Sequence, residues 1–173
     1  MLFNQRGVYP VIAGFDLGTK SGFAVQQRDG SIVSGTHKFK PKNTNQKAHE
    51  YRFHAFREFL GELHAKHNIQ LISYEYVTMA HKSYMASHLY GGFRAILLMF
   101  ALSHNIRVEP VHISAIKKHV TGKGNAKKEE MLHSVQHNGY MLMLSVTTFD
   151  EADAIGVAHW AATHYDKVMG AFK

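Results

Sequence analysis

Three strand-like segments separated by tight turns open the chain, and they constrain the fold more than any other feature. The segments are Val11 to Phe15, Phe23 to Val25 and Ile32 to Phe39. The first ends at Asp16 and is followed by a turn from Leu17 to Gly22. Arg28-Asp29-Gly30 is a strong hairpin signal between the second and third segments. The sequence therefore predicts an antiparallel meander.

Helical and strand patterns alternate after the meander. Phenylalanines and leucines at helical spacing predict a helix from Asn45 to His67, which Asn68 ends. Two further strands are predicted, over Ile69–Tyr74 and Arg107–Val111, with a helix over Tyr84–His104 between them that is interrupted at Gly91-Gly92. A short helix follows from its cap Ser114 to His119, and the next covers Ala126–Asn138 between its cap Asn125 and its stop Gly139. The last helix runs from about Asp150 to Tyr165. The order βββαβαβαα predicts an α/β fold with a five-stranded mixed sheet, antiparallel meander then parallel strands, flanked by helices on both faces.

Four carboxylates fall at positions that favour one shared site. Asp16 ends the first strand, Glu75 ends the fourth, and Asp150 and Asp153 lie three residues apart at the start of the last helix. If strands one and four are neighbours, Asp16 and Glu75 project from the same end of the sheet. Clustered carboxylates need cations, and Mg²⁺ prefers oxygen ligands. Two such ions can activate a water and stabilise the leaving oxygen of a phosphodiester.

Each carboxylate also has a structural interpretation. Asp16 is suited to starting a turn, Asp150 to capping its helix, and Glu151 and Asp153 to complementing the helix dipole. His133 and His137 have the i, i+4 spacing of helical zinc ligands, but residue 134 is not the glutamate of an HExxH motif. In a chain with 14 histidines, that spacing is explained by chance.

Basic residues outnumber acidic ones, 20 to 13, which gives a formal charge of +7 and suits a polyanionic partner such as nucleic acid. A basic cluster, suited to tracking phosphates, comprises Lys117, Lys118, Lys123, Lys127 and Lys128. A solvated charged loop has the same composition. Lys38, Lys40 and Lys42 form a second run for which both interpretations are equally open.

Several classes of protein are excluded or disfavoured. The chain has no cysteine, so it has neither a disulfide scaffold nor a thiolate metal site. Arg6 and Pro10 interrupt any signal-peptide pattern, and the longest apolar stretch, Ala95 to Leu102, is too short to span a membrane. We therefore expect a single domain over residues 1–173, a cytoplasmic location, no membrane and no small-molecule cofactor.

Four segments together resemble one family, the RuvC-type Holliday-junction resolvases, and small phage-type relatives among them. The segments occur in the family's order and cover nearly the whole chain: Gly14-Phe15-Asp16-Leu17-Gly18-Thr19-Lys20-Ser21-Gly22, Ile72-Ser73-Tyr74-Glu75, Gly122-Lys123-Gly124-Asn125-Ala126-Lys127-Lys128 and Asp150-Glu151-Ala152-Asp153-Ala154-Ile155-Gly156-Val157-Ala158.

This resemblance implies an RNase H-like fold, a homodimer, and Mg²⁺- or Mn²⁺-dependent cleavage of four-way DNA junctions in DNA recombination and repair. It implies that the catalytic metal ligands are Asp16, Glu75, Asp150 and Asp153. It also implies that Lys117 and Lys128 contact the scissile phosphate or stabilise the transition state. The products would carry a 5′-phosphate and a 3′-hydroxyl.

The sequence departs from the family pattern at two positions. Leu17 stands where the family often has proline after the first aspartate. Thr78 stands where some members have an aromatic residue that wedges into the junction, a role for which Tyr76 and Tyr84 are the substitutes. A less selective branched-DNA or flap nuclease is therefore an alternative function.

Three other functions fit parts of the same pattern. A YqgF-like RNA-processing nuclease would use a similar acidic set and differ in substrate. Asp16-Leu17-Gly18-Thr19 also fits the first phosphate loop of sugar kinases and actin-like ATPases, but these need two domains. A catalytically inactive binding module is disfavoured because all four carboxylates are present. Core or dimer packing is predicted for the residues Phe93, Ile96, Leu97 and Phe100.

Overall fold

The computed structural model describes residues 10–41, 48–77, 83–138 and 145–170. Its strands are β1 (Ile12–Asp16), β2 (Lys20–Gln26), β3 (Ile32–Lys38), β4 (Leu71–Tyr76) and β5 (Arg107–His112). They form one five-stranded sheet in the order β3-β2-β1-β4-β5. The β1–β2 and β2–β3 pairs are antiparallel, and the β1–β4 and β4–β5 pairs are parallel. The predicted mixed sheet is confirmed, and strands one and four are neighbours.

Helices cover both faces of this sheet, as predicted. They are α1 (Ala48–His67), α2 (Tyr84–Ser103), α3 (Ile113–Thr121), α4 (Lys128–His137), α5 (Phe149–Thr163) and α6 (Tyr165–Gly170). Helices α1 and α2 lie on one face, and α3, α4 and α5 pack on the other. Alternate residues of β1 serve the two cores: Ala13 and Phe15 face α1 and α2, while Ile12 faces the α5 side.

The face covered by α1 and α2 has an aromatic core. The Phe56 ring meets the rings of Phe15, Phe39 and Phe93 edge to face, at centroid distances of 6.3, 5.4 and 5.1 Å. Such edge-to-face pairs add to the stabilisation from burial alone. Phe93, Leu97 and Phe100 of α2 are buried in this core, and Ile96 is partly buried against it, so their predicted core role is confirmed.

The opposite face is covered closely by α5. Helix α5 contributes mainly small buried residues to this core, including Ala152, Ala154, Ala158 and Ala161. A Cβ on Gly14 of β1 would lie 2.5 Å from the backbone nitrogen of Ala158, and a Cβ on Gly22 of β2 would overlap the backbone carbonyl of Asp150. Glycine at these two strand positions therefore lets the backbone of α5 contact the sheet.

The predicted turns are confirmed where the structure describes them. Gly30 adopts a φ of 85° in the β2–β3 hairpin, and the carboxylate of Asp29 accepts hydrogen bonds from the backbone and hydroxyl of Ser31 at 2.9 and 2.6 Å. Asn68 ends α1 with a φ of 53°. The predicted stop at Gly139 lies outside the described residues.

Three local predictions about helices were wrong. Helix α3 begins at Ile113, directly after β5, so Ser114 lies inside it and His112 occupies the N-cap. Helix α4 begins at Lys128 because Glu130 accepts a hydrogen bond from the backbone of Lys127 and fixes the cap there, not at Asn125.

Helix α2 is not interrupted at its glycine pair. A Cβ on Gly92 would overlap the ring of Phe53, so this glycine is needed for the approach of α1 to α2. The glycine is a packing feature, and the helix continues through it.

Helix α2 also corrects the expectation about membrane spans. The helix is long and apolar enough to cross a bilayer by length and composition alone, since 18 of its 20 residues have a mean hydropathy of 1.3. The core helix of a soluble protein passes the same test. One side of α2 is buried on the sheet through Phe93, Leu97, Phe100 and Ala101.

Candidate active site

The strands place Asp16 and Glu75 side by side. Phe15 of β1 pairs with Tyr74 of β4 in parallel register, so Asp16 and Glu75 follow at adjacent positions. Because side chains alternate along a strand and Phe15 and Tyr74 lie in the α1–α2 core, both carboxylates project toward the α5 face. Glu75 is followed by one further strand residue, Tyr76, and so stands one residue before the end of β4.

The start of α5 is fixed to the sheet by two hydrogen bonds between side chains and by the contact at Gly22. Thr148 caps the helix by accepting a hydrogen bond from the backbone of Glu151 at 3.3 Å, and its hydroxyl meets that of Thr36 on β3 at 2.8 Å. Ser34 of β3 donates to the carboxylate of Glu151 at 2.8 Å. Thr148, not Asp150, is the cap. Asp150 and Asp153 are consequently held over the end of the sheet that carries Asp16.

Asp16 has the most strongly shifted pKa of the group. Burial raises its pKa to about 8, and the charges of Glu75, Asp153 and Asp150 act in the same direction. Lys128 opposes the shift. Mutual repulsion of this kind requires the groups to be close. The four predicted carboxylates are therefore brought together, and the β1 aspartate is at their centre.

Glu75 and Asp153 share a second feature, the influence of the two predicted lysines. Burial and the charge of Asp153 raise the pKa of Glu75 to about 7, whereas Lys128 and Lys117 lower it. Burial also raises the pKa of Asp153 to about 6, against the same two lysines. Lys117 and Lys128 thus lie near the carboxylates, as the resemblance implies, one on α3 and one at the start of α4.

The remaining lysines of the basic cluster lie around α3 and α4. Lys118, Lys123 and Lys127 are exposed, and the ammonium of Lys123 lies 3.3 Å from the carboxylate of Glu130. Gly122 gives the chain its turn after α3, with a φ of 79°. The cluster therefore presents its exposed charges on the side of the molecule that carries Lys117 and Lys128.

Sequence reasoning missed two residues of this site. Lys20, the first residue of β2, forms an ion pair with Asp150. Tyr90 of α2 donates from its hydroxyl to the backbone carbonyl of Glu75 at 3.1 Å and accepts from the backbone nitrogen of Val77 at 3.1 Å. The glycine-rich segment around Asp16 contained Lys20, but no pattern in the sequence links Tyr90 to Glu75.

The predicted wedge position, Thr78, and one residue of the second basic run, Lys42, lie outside the described residues. Tyr76 is partly buried, and the guanidinium carbon of Arg94 lies 5.3 Å from its ring centroid. Tyr84 is 83% exposed at the first residue of α2. Of the two proposed substitutes, Tyr84 is therefore the more accessible ring.

The donor set suits a hard divalent cation. Carboxylate oxygens are the ligands that Mg²⁺ and Mn²⁺ prefer, and a cation would relieve the repulsion and burial that raise the pKa values of three of these groups. Among residues 10–41, 48–77, 83–138 and 145–170, no group of three or more acidic or histidine side chains is arranged so that it could hold a metal ion. The carboxylate of Asp150 pairs with the ammonium of Lys20.

Comparison with known proteins decides the family. The model of the family described as crossover junction endodeoxyribonuclease RuvC matches residues 12–164. The chain belongs to the RuvC family. The match begins in β1 and ends just after α5, so it includes every carboxylate of the site. The RNase H-like fold is thus that of a RuvC-family chain.

Curated RuvC relatives match a shorter segment. Crossover junction endodeoxyribonuclease RuvC of Rickettsia rickettsii is 33% identical over 73 residues, which cover 40% of this chain and 43% of the relative. The corresponding protein of Rickettsia typhi is 34% identical over 71 residues, with the same coverage. The alignments therefore span less than half the length of these relatives.

Solved structures share the fold over nearly the whole chain. Thermus thermophilus RuvC in complex with a Holliday junction substrate superposes with a TM-score of 0.74 and 18% identity, covering 92% of this chain and 96% of the other. A further Thermus thermophilus RuvC structure gives 0.70 and 22%, with the same coverage. A yeast mitochondrial Holliday junction resolvase gives 0.64 and 14%, covering 95% of this chain and 83% of the other.

Proposed function

We propose that this protein is a structure-selective endonuclease that cleaves four-way DNA junctions by divalent-metal-dependent phosphodiester hydrolysis, in DNA recombination and repair. The observation that carries the proposal is the proximity of Asp16 to the carboxylates of Glu75, Asp150 and Asp153 at one end of a RuvC-family sheet. The proposal takes residues 1–173 as a single nuclease domain acting in the cytoplasm.

The carboxylates would hold Mg²⁺ or Mn²⁺. When bound, such an ion supplies the positive charge that activates a water and stabilises the leaving oxygen. Asp16 is at the centre of the cluster and so contributes to the site whichever of its neighbours share the ion. Tyr90 holds the backbone directly after the Glu75 side chain, at the Glu75 carbonyl and the Val77 nitrogen, and would thereby help to position the carboxylate.

Lys128 and Lys117 would bind the phosphate beside the carboxylates. Both act on the charges of Glu75 and Asp153, so a phosphate next to the acidic cluster lies within their influence. The exposed Lys118, Lys123 and Lys127 would extend this contact along the DNA backbone and make binding salt-dependent.

Branched DNA and a second copy of the chain are the proposed partners. The solved RuvC in complex with a Holliday junction substrate shares this fold, which supports the choice of four-way junctions as substrate. Two copies would place two active sites against opposing strands of one junction. The dimer proposal also has support within the chain itself, on the outer side of α2.

An apolar stripe runs along that outer side. Its members are exposed and spaced alternately four and three residues apart, as in a helix pair: Tyr84, His88, Gly91, Ala95, Leu98 and Leu102. Leu102 is 84% exposed, and adjacent Met99 is 68% exposed. The small residues Gly91 and Ala95 lie at the centre, where a second helix can approach closely. This α2 stripe is the surface that we propose for the homodimer.

The dimer proposal is tested by blocking this close approach. A Cβ at Gly91 would meet nothing within 4 Å, so Gly91→Trp leaves the monomer's core intact and obstructs only a partner. Gly61→Trp on α1 is the matched control, since a Cβ at Gly61 also meets nothing within 4 Å. Sedimentation should show a dimer for the wild type and Gly61→Trp and a monomer for Gly91→Trp. A dimer in all three would refute this interface.

The activity is tested with Mg²⁺ on a four-way DNA junction, a flap, linear duplex DNA and structured RNA. Paired symmetrical nicks in the junction that EDTA abolishes are the expected result. Equal cutting of flap and junction would favour a general branched-DNA nuclease, and cutting of RNA alone would favour the YqgF-like function. If no substrate is cut, the proposal of a nuclease is wrong.

A further inference from the structure

The cations around the acidic cluster are divided between its two sides. Lys117 and Lys128 act on Glu75 and Asp153 from the side of β4 and β5. Lys20 lies on β2, on the other side of β1, and its ammonium contacts the carboxylate of Asp150. Asp150 therefore already has a cation of its own.

We propose that Lys20 acts as an internal cation that competes with the divalent metal for Asp150 and thereby sets the metal affinity of the site. The proposal rests on the proposed function, because it requires that the carboxylates bind a metal. The ammonium pairs with one oxygen of the Asp150 carboxylate, Oδ2. A metal that bound through this oxygen would replace the ammonium, which would have to move away.

The exposure of the pair makes this exchange feasible. The Lys20 side chain is 42% exposed and that of Asp150 is 24% exposed. The lysine therefore has a path into solvent, where water replaces the carboxylate as its partner. Half-exposed ion pairs typically shift an equilibrium by only about 1.4- to 5-fold, so Lys20 would tune metal binding without preventing it.

Contacts on both sides of Lys20 in the sequence hold it beside Asp150. Gly22, two residues after Lys20, contacts the backbone of Asp150 so closely that a side chain there would overlap it. The hydroxyl of Ser21 donates to the carbonyl of Gly18 at 2.8 Å and accepts from the Gly18 nitrogen at 3.1 Å, which fixes the turn before Lys20. The pairing is thus built by the contact of β2 with α5 and is not a chance meeting of two surface side chains.

A DNA-free titration of the full chain with Mn²⁺, followed by calorimetry, tests the proposal. Lys20→Met keeps the length of the aliphatic side chain and removes the competing charge. Lys38→Met is the matched control, because Lys38 is the exposed cross-strand partner of Lys20 and its loss changes the net charge equally. We expect Lys20→Met to bind Mn²⁺ about two- to fivefold more tightly than Lys38→Met.

A double-mutant cycle assigns the effect to Asp150. In an Asp150→Asn background, Lys20→Met should leave Mn²⁺ affinity unchanged, since the carboxylate for which Lys20 competes is gone. Lys20→Arg keeps the ion pair and should retain the wild-type affinity. Thermal unfolding without metal checks that each variant folds.

The outcomes separate this inference from the proposed function. Equal or weaker Mn²⁺ binding by Lys20→Met, in a wild type that does bind Mn²⁺, overturns the competition and leaves the metal site standing. An increase that persists in the Asp150→Asn background also overturns it. Absence of Mn²⁺ binding in the wild type and every variant would overturn both proposals.

Discussion

The two faces of the sheet are packed with different kinds of side chain. Under α1 and α2, large aromatic rings such as Phe56 and Phe93 fill the space between helices and strands. Under α5, the backbone of Ala154 and Ala158 meets Gly14 and the backbone of Asp150 meets Gly22, so helix backbone touches strand backbone. One face separates its layers with rings, whereas the other brings its layers into direct contact.

The difference shows how stability and geometry are distributed in this molecule. Ring packing buries much apolar surface and therefore contributes strongly to the free energy of unfolding. Backbone contact leaves α5 no room to shift, which holds Asp150 and Asp153 against Asp16. We therefore expect changes on the α5 face to affect cleavage directly, and changes to the rings packed beneath α1 and α2 to affect stability alone.

The largest expected effect is that of removing one charge from the centre of the acidic cluster. Asp16→Asn should lower the cleavage rate at least about a thousandfold and leave junction binding largely intact, because it alters the metal site alone. Cleavage and gel-shift assays measure the two properties. Asp166→Asn, at an exposed position on α6, is the control with the same loss of charge. An equal loss of binding by Asp16→Asn would contradict this role.

Adding a single methyl group distinguishes the two faces most directly. Gly14→Ala forces a Cβ to within 2.5 Å of the Ala158 backbone, so it should cost about 1–3 kcal/mol of stability and reduce cleavage as α5 is displaced. Gly61→Ala, in open space on α1, should instead stabilise the protein by about 0.5–1 kcal/mol. Denaturant unfolding and cleavage rates measure both. Equal changes in stability and cleavage rate for Gly14→Ala and Gly61→Ala would show that the two faces do not differ in this way.

Replacing one ring of the aromatic core by a smaller apolar side chain should lower stability and leave cleavage unchanged. Phe56→Leu loses edge-to-face contacts with three rings, and we expect a loss of about 1–1.5 kcal/mol. Cleavage per folded molecule should equal that of the wild type. The comparison would fail if cleavage dropped while the free energy of unfolding stayed constant.

The pH dependence of stability tests whether the buried carboxylates on the α5 face repel one another. The folded-state pKa values of Asp16, Glu75 and Asp153 are raised to about 8, 7 and 6, above those of an unfolded chain. Between pH 6 and 8 the folded protein loses protons that the unfolded chain has already lost, so metal-free stability should fall as the pH rises.

Thermal unfolding in EDTA at several pH values measures this slope. Asp16→Asn should reduce the slope and raise the metal-free melting temperature at pH 8, because it removes one repelled charge. Phe56→Leu, on the other face, should lower the melting temperature by a similar amount at every pH and so leave the slope unchanged. A metal-free stability that rises from pH 6 to pH 8 would show that the carboxylates do not repel one another as described.

The sheet and the four carboxylates were predictable because they follow from regular patterns. Strand alternation and turn residues located β1 to β5, and the ordered motifs located Asp16, Glu75, Asp150 and Asp153. Parallel pairing of β1 with β4 then brings the strand ends together, as expected from topology alone. Helix starts were less predictable, since Ser114 and Asn125 are good caps by residue type but the chain begins its helices elsewhere.

Contacts between distant segments were not predictable from the sequence. Tyr90 reaches the Glu75 backbone across the α2–β4 packing, and Lys20 reaches Asp150 only because β2 and α5 touch at Gly22. Each of these contacts depends on the three-dimensional approach of two elements. No periodicity or residue type at either position encodes its partner.

The carboxylates of the site come from widely separated parts of the chain, and this has a consequence for biosynthesis. A ribosome makes Asp16 and Glu75 well before Asp153, so a growing chain holds an incomplete acidic set until α5 has emerged and docked. At about 5–20 residues per second, that interval lasts roughly 8–30 s. In the proposed nuclease, a complete acidic set is therefore present only after α5 has folded against the sheet.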